Sequence, residues 1–207
     1  MNTLGRKVRN ASLGFCAALV ALLAASCSSK DKLAEELNGT WSSAPEQIAN
    51  SGATRTTMVR VIEFNNNGGS PEGAVTMTAL ITVDNVMAVG DSISVPLTIT
   101  ASGAATITGV FQAKDDDELL INLDYSSLQV SVDPQAVQLN YNLLTQESSS
   151  RLEALRPGAL RLATQQIQQS ATSVFSNLTE IEDIKIDNNL MSCEIGHKDL
   201  TFRRQQP

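Results

Sequence analysis

The sequence predicts a mainly β protein, an antiparallel meander that closes into a barrel, with a helical insertion before its last strands. Most of the chain after residue 37 alternates between apolar and polar residues, which is the period of a half-buried strand. Asn-, Gly- and Asp-rich turns separate the alternating runs. At about residues 147–177 the apolar period changes to that of a helix. A meander of about eight strands with one apolar face can close on itself and remove its edges.

The first 26 residues have the layout of a secretory signal peptide, with a basic start and an apolar run over residues 13–25. This run is shorter than the roughly 20 residues that a transmembrane helix needs. Because small residues precede Cys27, we expect cleavage before this cysteine. The alternative is a plain cleaved signal with an incidental cysteine.

The end of this leader, Leu23 to Cys27, resembles the lipobox of bacterial lipoproteins. The resemblance implies that Cys27 is acylated and becomes the new N-terminus, so that the protein contacts the membrane through its N-terminal lipid. Two or three acyl chains give durable anchoring, whereas a single chain holds only marginally. Ser28 is not the aspartate that retains such proteins at the inner membrane, so we expect the outer membrane, on either its periplasmic or its surface face. Residues 27–37 are then interpreted as a lipidated polar tether and residues 38–207 as one β domain.

Three segments in the first half of this domain alternate most clearly, and the turns between them are predicted at 65–69, 101–103 and the acidic run 115–118. Their inward apolar residues are Val75, Met77, Ala79, Ile81 and Val83, then Ile93, Val95, Leu97 and Ile99, then Leu128, Val130 and Val132.

The helical segment contains Pro157 and Gly158, which predict a kink or two helices joined there. Residues 135–144 before it fit either a helix or a strand. After it, strands are predicted at 182–186, 190–195 and 200–204, separated by turns at 187–189 and 196–198.

Gly39, Thr40 and Trp41 resemble the G-x-W of the first strand in lipocalins, and the whole arrangement is similar to small lipocalin-like lipoproteins of the Bacteroidota. The run Ile62–Asn65 and the basic last strand, Leu200–Arg204, match the same pattern. The resemblance implies that Trp41 plugs one end of the barrel and that Arg204 stacks on it as a structural closure. A cation over an indole contributes about 0.5 to 2 kcal/mol.

Charge makes nucleic acid an unexpected partner, because the chain has 15 Lys and Arg against 22 Asp and Glu, a formal net charge of −7. Three of the basic residues lie in the leader, so the mature chain is more acidic still. The run Asp115–Glu118 offers carboxylates for calcium, but it lacks the spaced ligands and glycine of a calcium loop. We interpret it as a solvated turn, and we expect no metal and no cofactor.

The sequence offers no catalytic constellation, so we expect no enzymatic activity. His197 is the single histidine, and Cys193, in an apolar run, is the cysteine that remains besides Cys16 and Cys27. We interpret His197 as solvated and Cys193 as a small buried side chain. The function predicted is a cell-envelope interaction or structural module that contacts another envelope protein. The alternative is a lipocalin-like binder of a small hydrophobic ligand, and Ser92 fits a short O-glycosylation pattern.

Overall fold

The computed structural model describes residues 29–68, 70–89, 95–141 and 146–206, with side chains from 29–68, 70–86, 97–140 and 153–206. The predicted fold class is confirmed: ten antiparallel strands form one sheet. The strands are β1 (Gly39–Ser43), β2 (Glu46–Asn50), β3 (Thr54–Asn65), β4 (Glu72–Val89), β5 (Val95–Ala113), β6 (Leu119–Val132), β7 (Gln138–Tyr141), β8 (Glu180–Asp187), β9 (Leu190–Glu194) and β10 (Asp199–Arg204). Helix α1 covers residues 29–37 and helix α2 covers Gln146–Ser176.

Eight of the strands form a closed ring of hydrogen-bonded neighbours. The order is β1-β10-β9-β8-β6-β5-β4-β3, and β1 also pairs with β3, which closes the ring. Strand β2 continues along β3 beyond the end of β1, and β7 pairs with the start of β5. Closure removes the exposed edges that an open sheet would present along these strands.

The alternating residues of the long strands line the inside of the ring. Along β4 the inward side chains are only 1–2% exposed from Val75 to Val83, which confirms the predicted period. Phe64 of β3 and Phe111 of β5 meet edge to face, with ring centroids 5.2 Å apart. One continuous apolar cluster joins these strands to both helices.

The shortest strand pairing in the ring joins β6 and β8. It has only two residue pairs, Leu119 with Ile181 and Leu120 with Glu180. Helix α2 connects to β8 and packs against the inner side of β4 and β5, since Ile167, Ala171 and Phe175 belong to the same cluster as the inward residues of these strands. The helical insertion therefore fills the part of the barrel that the short strands β8–β10 leave open.

The turn predicted at residues 101–103 is wrong, because β5 runs through them without a break. Gly103 serves close packing instead. A Cβ on Gly103 would lie 2.7 Å from the carbonyl oxygen of Ser131 and 3.0 Å from Cδ1 of Ile167. The glycine thus lets β6 and α2 approach the strand, which the sequence pattern alone does not distinguish from a turn.

Two further segments differ from the sequence interpretation. Residues 29–37 form a helix rather than a polar tether, and its Leu33, Ala34 and Leu37 are buried in the main cluster. The predicted helix near 147–177 is present, and it is continuous through Pro157 instead of dividing into two helices. Residues 135–144, left open above, include a 3₁₀ turn at Pro134–Ala136 and the strand β7.

Candidate functional site

The structure brings together Trp41 and Arg204 at the end of the ring where α1 lies, which we call the α1 end. The Trp41 side chain is fully buried, and its Nε1 donates a 2.7 Å hydrogen bond to the carbonyl oxygen of Leu37. The Arg204 guanidinium carbon lies 4.2 Å from the centre of the indole ring. This stacking combines burial with a cation over the aromatic face.

Arg204 also binds the last turn of α1. Its Nη1 and Nη2 donate to the carbonyl oxygens of Asn38 and Glu36. Carbonyls at a helix C-terminus have no partner within the helix, and a cation there also interacts favourably with the helix dipole. Arg204 therefore joins the last strand, the indole and α1 in one arrangement.

Two smaller residues make this arrangement possible. Gly39 has φ +114°, and a Cβ there would lie 3.2 Å from Nη1 of Arg204, so the glycine leaves room for the guanidinium. Asn38 accepts a 2.6 Å hydrogen bond from the backbone N–H of Asn66, which ties α1 to the β3–β4 turn. The G-x-W pattern identifies Gly39, whereas no sequence signal had identified Asn38.

The opposite part of the barrel, which we call the α2 end, is covered by a stripe of residues spaced four apart on α2. They are Ala159, Ala163, Ile167, Ala171 and Phe175, all nearly or fully buried. Small side chains let the helix lie close to the strands. Polar anchors are few among the described contacts: Nδ2 of Asn85 donates to Oε1 of Gln166 at 2.6 Å, the Tyr125 hydroxyl donates to the Phe175 carbonyl at 3.0 Å, and Nη1 of Arg156 donates to the Val137 carbonyl at 2.7 Å.

A charged pair lies inside the ring between these two ends. Nη2 of Arg60 (β3) lies 2.7 Å from Oε1 of Glu46 (β2), and the two side chains are 13% and 14% exposed. Lys198, from the β9–β10 turn, also binds Glu46. Burial lowers the pKa of Arg60 from its ordinary value, although Glu46 acts in the opposite direction. Nε and Nη1 of Arg60 are buried and have no hydrogen-bond partner in the described part of the chain.

Arg60 also borders a small cavity of about 10 Å³, whose other walls include Ile62, Met77, Phe175 and Leu178. A water molecule needs roughly 10–15 Å³ measured in this way. The space therefore suits at most one water, and a larger molecule would have to displace Phe175 or Leu178. Sequence reasoning missed Arg60, although its position between the inward residues Met58 and Ile62 was a usable signal.

A larger groove, of about 630 Å³, lies on the outer wall of the ring near the α1 end. Val110 and Leu120, which are 56% and 40% exposed, form its apolar part. Its polar wall includes Glu72 and Gln112, whose side chains bind each other at 2.8 Å. The groove lacks a histidine, a cysteine or a lysine among its described lining residues, so it offers few groups for chemistry.

Neither of the two residues considered for catalysis, Cys193 and His197, is placed as a reactive group. Burial raises the pKa of the Cys193 thiol to about 12, with Arg60 acting in the opposite direction. A thiol with this pKa is protonated at neutral pH, so it is a poor nucleophile. His197 is almost fully exposed in the β9–β10 turn, and its Nδ1 lies 3.3 Å from a carboxylate oxygen of Glu194.

The acidic run Asp115–Glu118 lies in the turn between β5 and β6, as predicted. Glu118 approaches Glu180 and Glu182 of β8, and one carboxylate oxygen of each lies within 4.8 Å of the others. Lys114 binds Glu118 and lies 3.0 Å from Glu180, so a lysine ammonium supplies the positive charge at this cluster. Hydrogen bonding to Glu180 raises the pKa of Glu118, while the same bond lowers the pKa of Glu180.

Cys27, the predicted lipidation site, and Ser92 lie outside the described residues. Neither helix, within the ranges that the structure describes, is long and apolar enough to cross a membrane. No protein-family model matches the chain, and a search of curated proteins finds no significant relative.

Proposed function

We propose that the chain is a lipid-anchored envelope protein whose barrel is a non-catalytic interaction or structural module. The leader and Cys27 support the anchor, and the outer membrane is the proposed location. The resemblance of the G-x-W strand to lipocalin-like lipoproteins of the Bacteroidota belongs to the same proposal, and the contact of Trp41 with Arg204 supports it.

The filled interior, as seen in the part of the barrel that the structure describes, is the observation that carries the proposal. Inward residues of β3, β4 and β5 form one cluster with Ile167, Ala171 and Phe175 of the α2 stripe, and its members are mostly less than 5% exposed. Ala159 and Ala163 of the stripe belong to a second buried cluster at the start of β5. Ligand sites for drug-sized molecules are typically about 300–1,000 Å³. The space beside Arg60, at about 10 Å³, is far smaller. A barrel with a filled interior is suited to binding a partner through its outer surface.

The outer surface of the long strands offers such a face. Nine outward residues of β3, β4 and β5 form three consecutive cross-strand rows without a charged side chain, in a chain of which 18% is charged. They are Thr57, Val59, Val61, Thr78, Leu80, Thr82, Ser102, Ala104 and Thr106. Depletion of charge is the compositional mark of the centre of a protein interface. We call these nine residues the uncharged face, and we propose that it contacts another envelope protein.

A second candidate, the binder of a small hydrophobic ligand, has one observation in its favour. Arg60 carries two buried N–H-bearing atoms without a partner in the described part of the chain, and leaving such donors unpaired costs about 1–3 kcal/mol each. An anionic ligand would satisfy them. Because this ligand would have to displace the end of α2, the interaction module is favoured.

Site-specific photo-crosslinking in intact cells tests the proposal. A photoreactive phenylalanine replaces Leu80 on the uncharged face or, as the matched control, Leu190 on β9; the two leucines are 46% and 41% exposed. We expect a discrete adduct from position 80 that is absent from position 190. The proposal fails if both positions give the same background while native mass spectrometry of the extracted protein shows a lipid held inside.

A further inference from the structure

We infer that the α1 end of the barrel rests against the lipid surface, so that the protein is held upright on the membrane instead of hanging from a flexible tether. The inference rests on the proposed acylation of Cys27. It concerns what the described part of the chain does once that residue is fixed in a bilayer.

The connection between anchor and fold is very short. Consecutive Cα atoms are 3.8 Å apart, so Ser29, the first described residue of α1, stays within about 8 Å of Cys27. A helix rises 1.5 Å per residue, so the nine residues of α1 span about 14 Å before the chain reaches Leu37. The α1 end therefore lies within roughly 20 Å of the acylated residue.

Helix α1 cannot act as a loose spacer, because its second half is bound to the barrel. Leu33, Ala34 and Leu37 are 5%, 0% and 0% exposed within the main cluster. At its end, Trp41 and Arg204 bind the carbonyl oxygens of Leu37 and Glu36 and that of Asn38, the residue after the helix. Releasing α1 would expose three apolar side chains and break charge-assisted hydrogen bonds, which are the stronger kind.

The opposite face of α1 is hydrophilic, as a surface lying against lipid headgroups requires. Lys32, Glu35 and Glu36 are exposed there, and Lys32 pairs with Glu36 at 3.3 Å. These residues suit contact with headgroups rather than insertion into hydrocarbon. The acidic β5–β6 turn lies at the same end of the sheet, and its repulsion from anionic lipid decays over a Debye length of about 8 Å at physiological salt.

The same geometry defines which part of the molecule lies farthest from the membrane. Strand β4 starts at the α1 end, where Glu72 pairs with Gln112, and its 18 residues at about 3.3 Å each extend up to roughly 60 Å. The far ends of β4 and β5, together with the first part of α2, are then the regions most distant from the membrane. The uncharged face lies between the two ends.

Trp41 is the only tryptophan of the chain and lies at the α1 end, so its fluorescence reports the distance to lipid without a label. The mature chain, residues 27–207 with Cys193→Ala, is coupled through Cys27 to a maleimide-headed lipid in phosphatidylcholine vesicles. Nitroxide groups on the headgroups of the same vesicles then quench fluorescence at short range. The matched control carries a Gly-Ser insert of about 10 residues after Ser28, whose r.m.s. span is roughly 17 Å.

We expect several-fold stronger quenching of Trp41 without the insert than with it. In Trp41→Phe/Leu155→Trp, which moves the indole to the exposed surface of α2, quenching should be weak in both forms. Equal quenching of Trp41 with and without the insert, or stronger quenching at position 155, would overturn the inference. Because the anchor is supplied chemically, this result is independent of natural acylation. The mass of the protein purified from membranes tests acylation separately. A missing acyl mass would contradict the proposed anchor, whereas the quenching result tests the geometry of an anchored chain.

Discussion

The two ends of the barrel are closed in different ways. At the α1 end a few directional contacts meet on Trp41 and Arg204: a buried indole hydrogen bond, a stacked cation and two bonds to carbonyls of a helix terminus. At the α2 end a stripe dominated by alanine lies over the inner surface of the long strands, and its described polar anchors are few. The first closure depends on particular atoms, whereas the second spreads over many weak contacts. Single substitutions should therefore separate the two ends.

Replacing Trp41 by alanine should have the largest effect. It removes a fully buried aromatic side chain and the support of α1 together, so we expect a loss of about 3–5 kcal/mol in the free energy of unfolding. Urea unfolding followed by circular dichroism measures this loss. Leu120→Ala, on the outer wall, is the control and should change stability by about 0.5 kcal/mol or less. A loss below about 1 kcal/mol for Trp41→Ala would show that the α1 end is not specifically closed.

The Glu46→Gln variant tests the charged pair that lies between the ends. It leaves the Arg60 guanidinium largely buried without its nearest carboxylate, and breaking such a pair costs about 3 kcal/mol. The double variant Glu46→Gln/Arg60→Met should regain most of this loss in the same unfolding experiment. If the double variant is as unstable as Glu46→Gln, the loss does not come from an unpaired charge.

Two variants of Arg204 separate the contribution of its planar stacking from that of its charge at the α1 end. We expect Arg204→Gln to lose about 2 kcal/mol, since it removes the cation over the indole and the bonds to the end of α1. Arg204→Lys keeps the charge but loses the planar guanidinium, so its stability should lie between that of the wild type and that of Arg204→Gln. Thermal unfolding at low and high salt measures both variants. An Arg204→Lys variant equal to the wild type would mean that charge alone suffices.

A substitution at the α2 end should have the smallest effect on the free energy of unfolding. Ile167→Val removes one buried methylene from the stripe, and we expect a loss of about 1 kcal/mol in the free energy of unfolding. The midpoint of urea unfolding measures this loss, and Ile48→Val, at a partly buried position, is the control variant. A loss as large as that of Trp41→Ala would remove the proposed difference between the two ends.

Much of the strand pattern was readable from sequence because one face of each long strand is buried, as Val75 and Met77 show. Trp41 and Arg204 were readable through a motif and a shared strand face. The docking of α1 was not, because a short helix with several charges resembles a tether, and only the spacing of Leu33, Ala34 and Leu37 points to burial. Gly103 was misread for a related reason, since close packing and a turn both require glycine.

Native-state hydrogen exchange of the mature chain tests the central claim, that α1 is part of the fold rather than a tether. We predict that the backbone amides of Leu33, Ala34 and Leu37 exchange nearly as slowly as those of β1, because opening α1 requires release of Trp41 and Arg204. Exchange of these amides at the rate of an unfolded chain, with β1 still protected, would contradict the account.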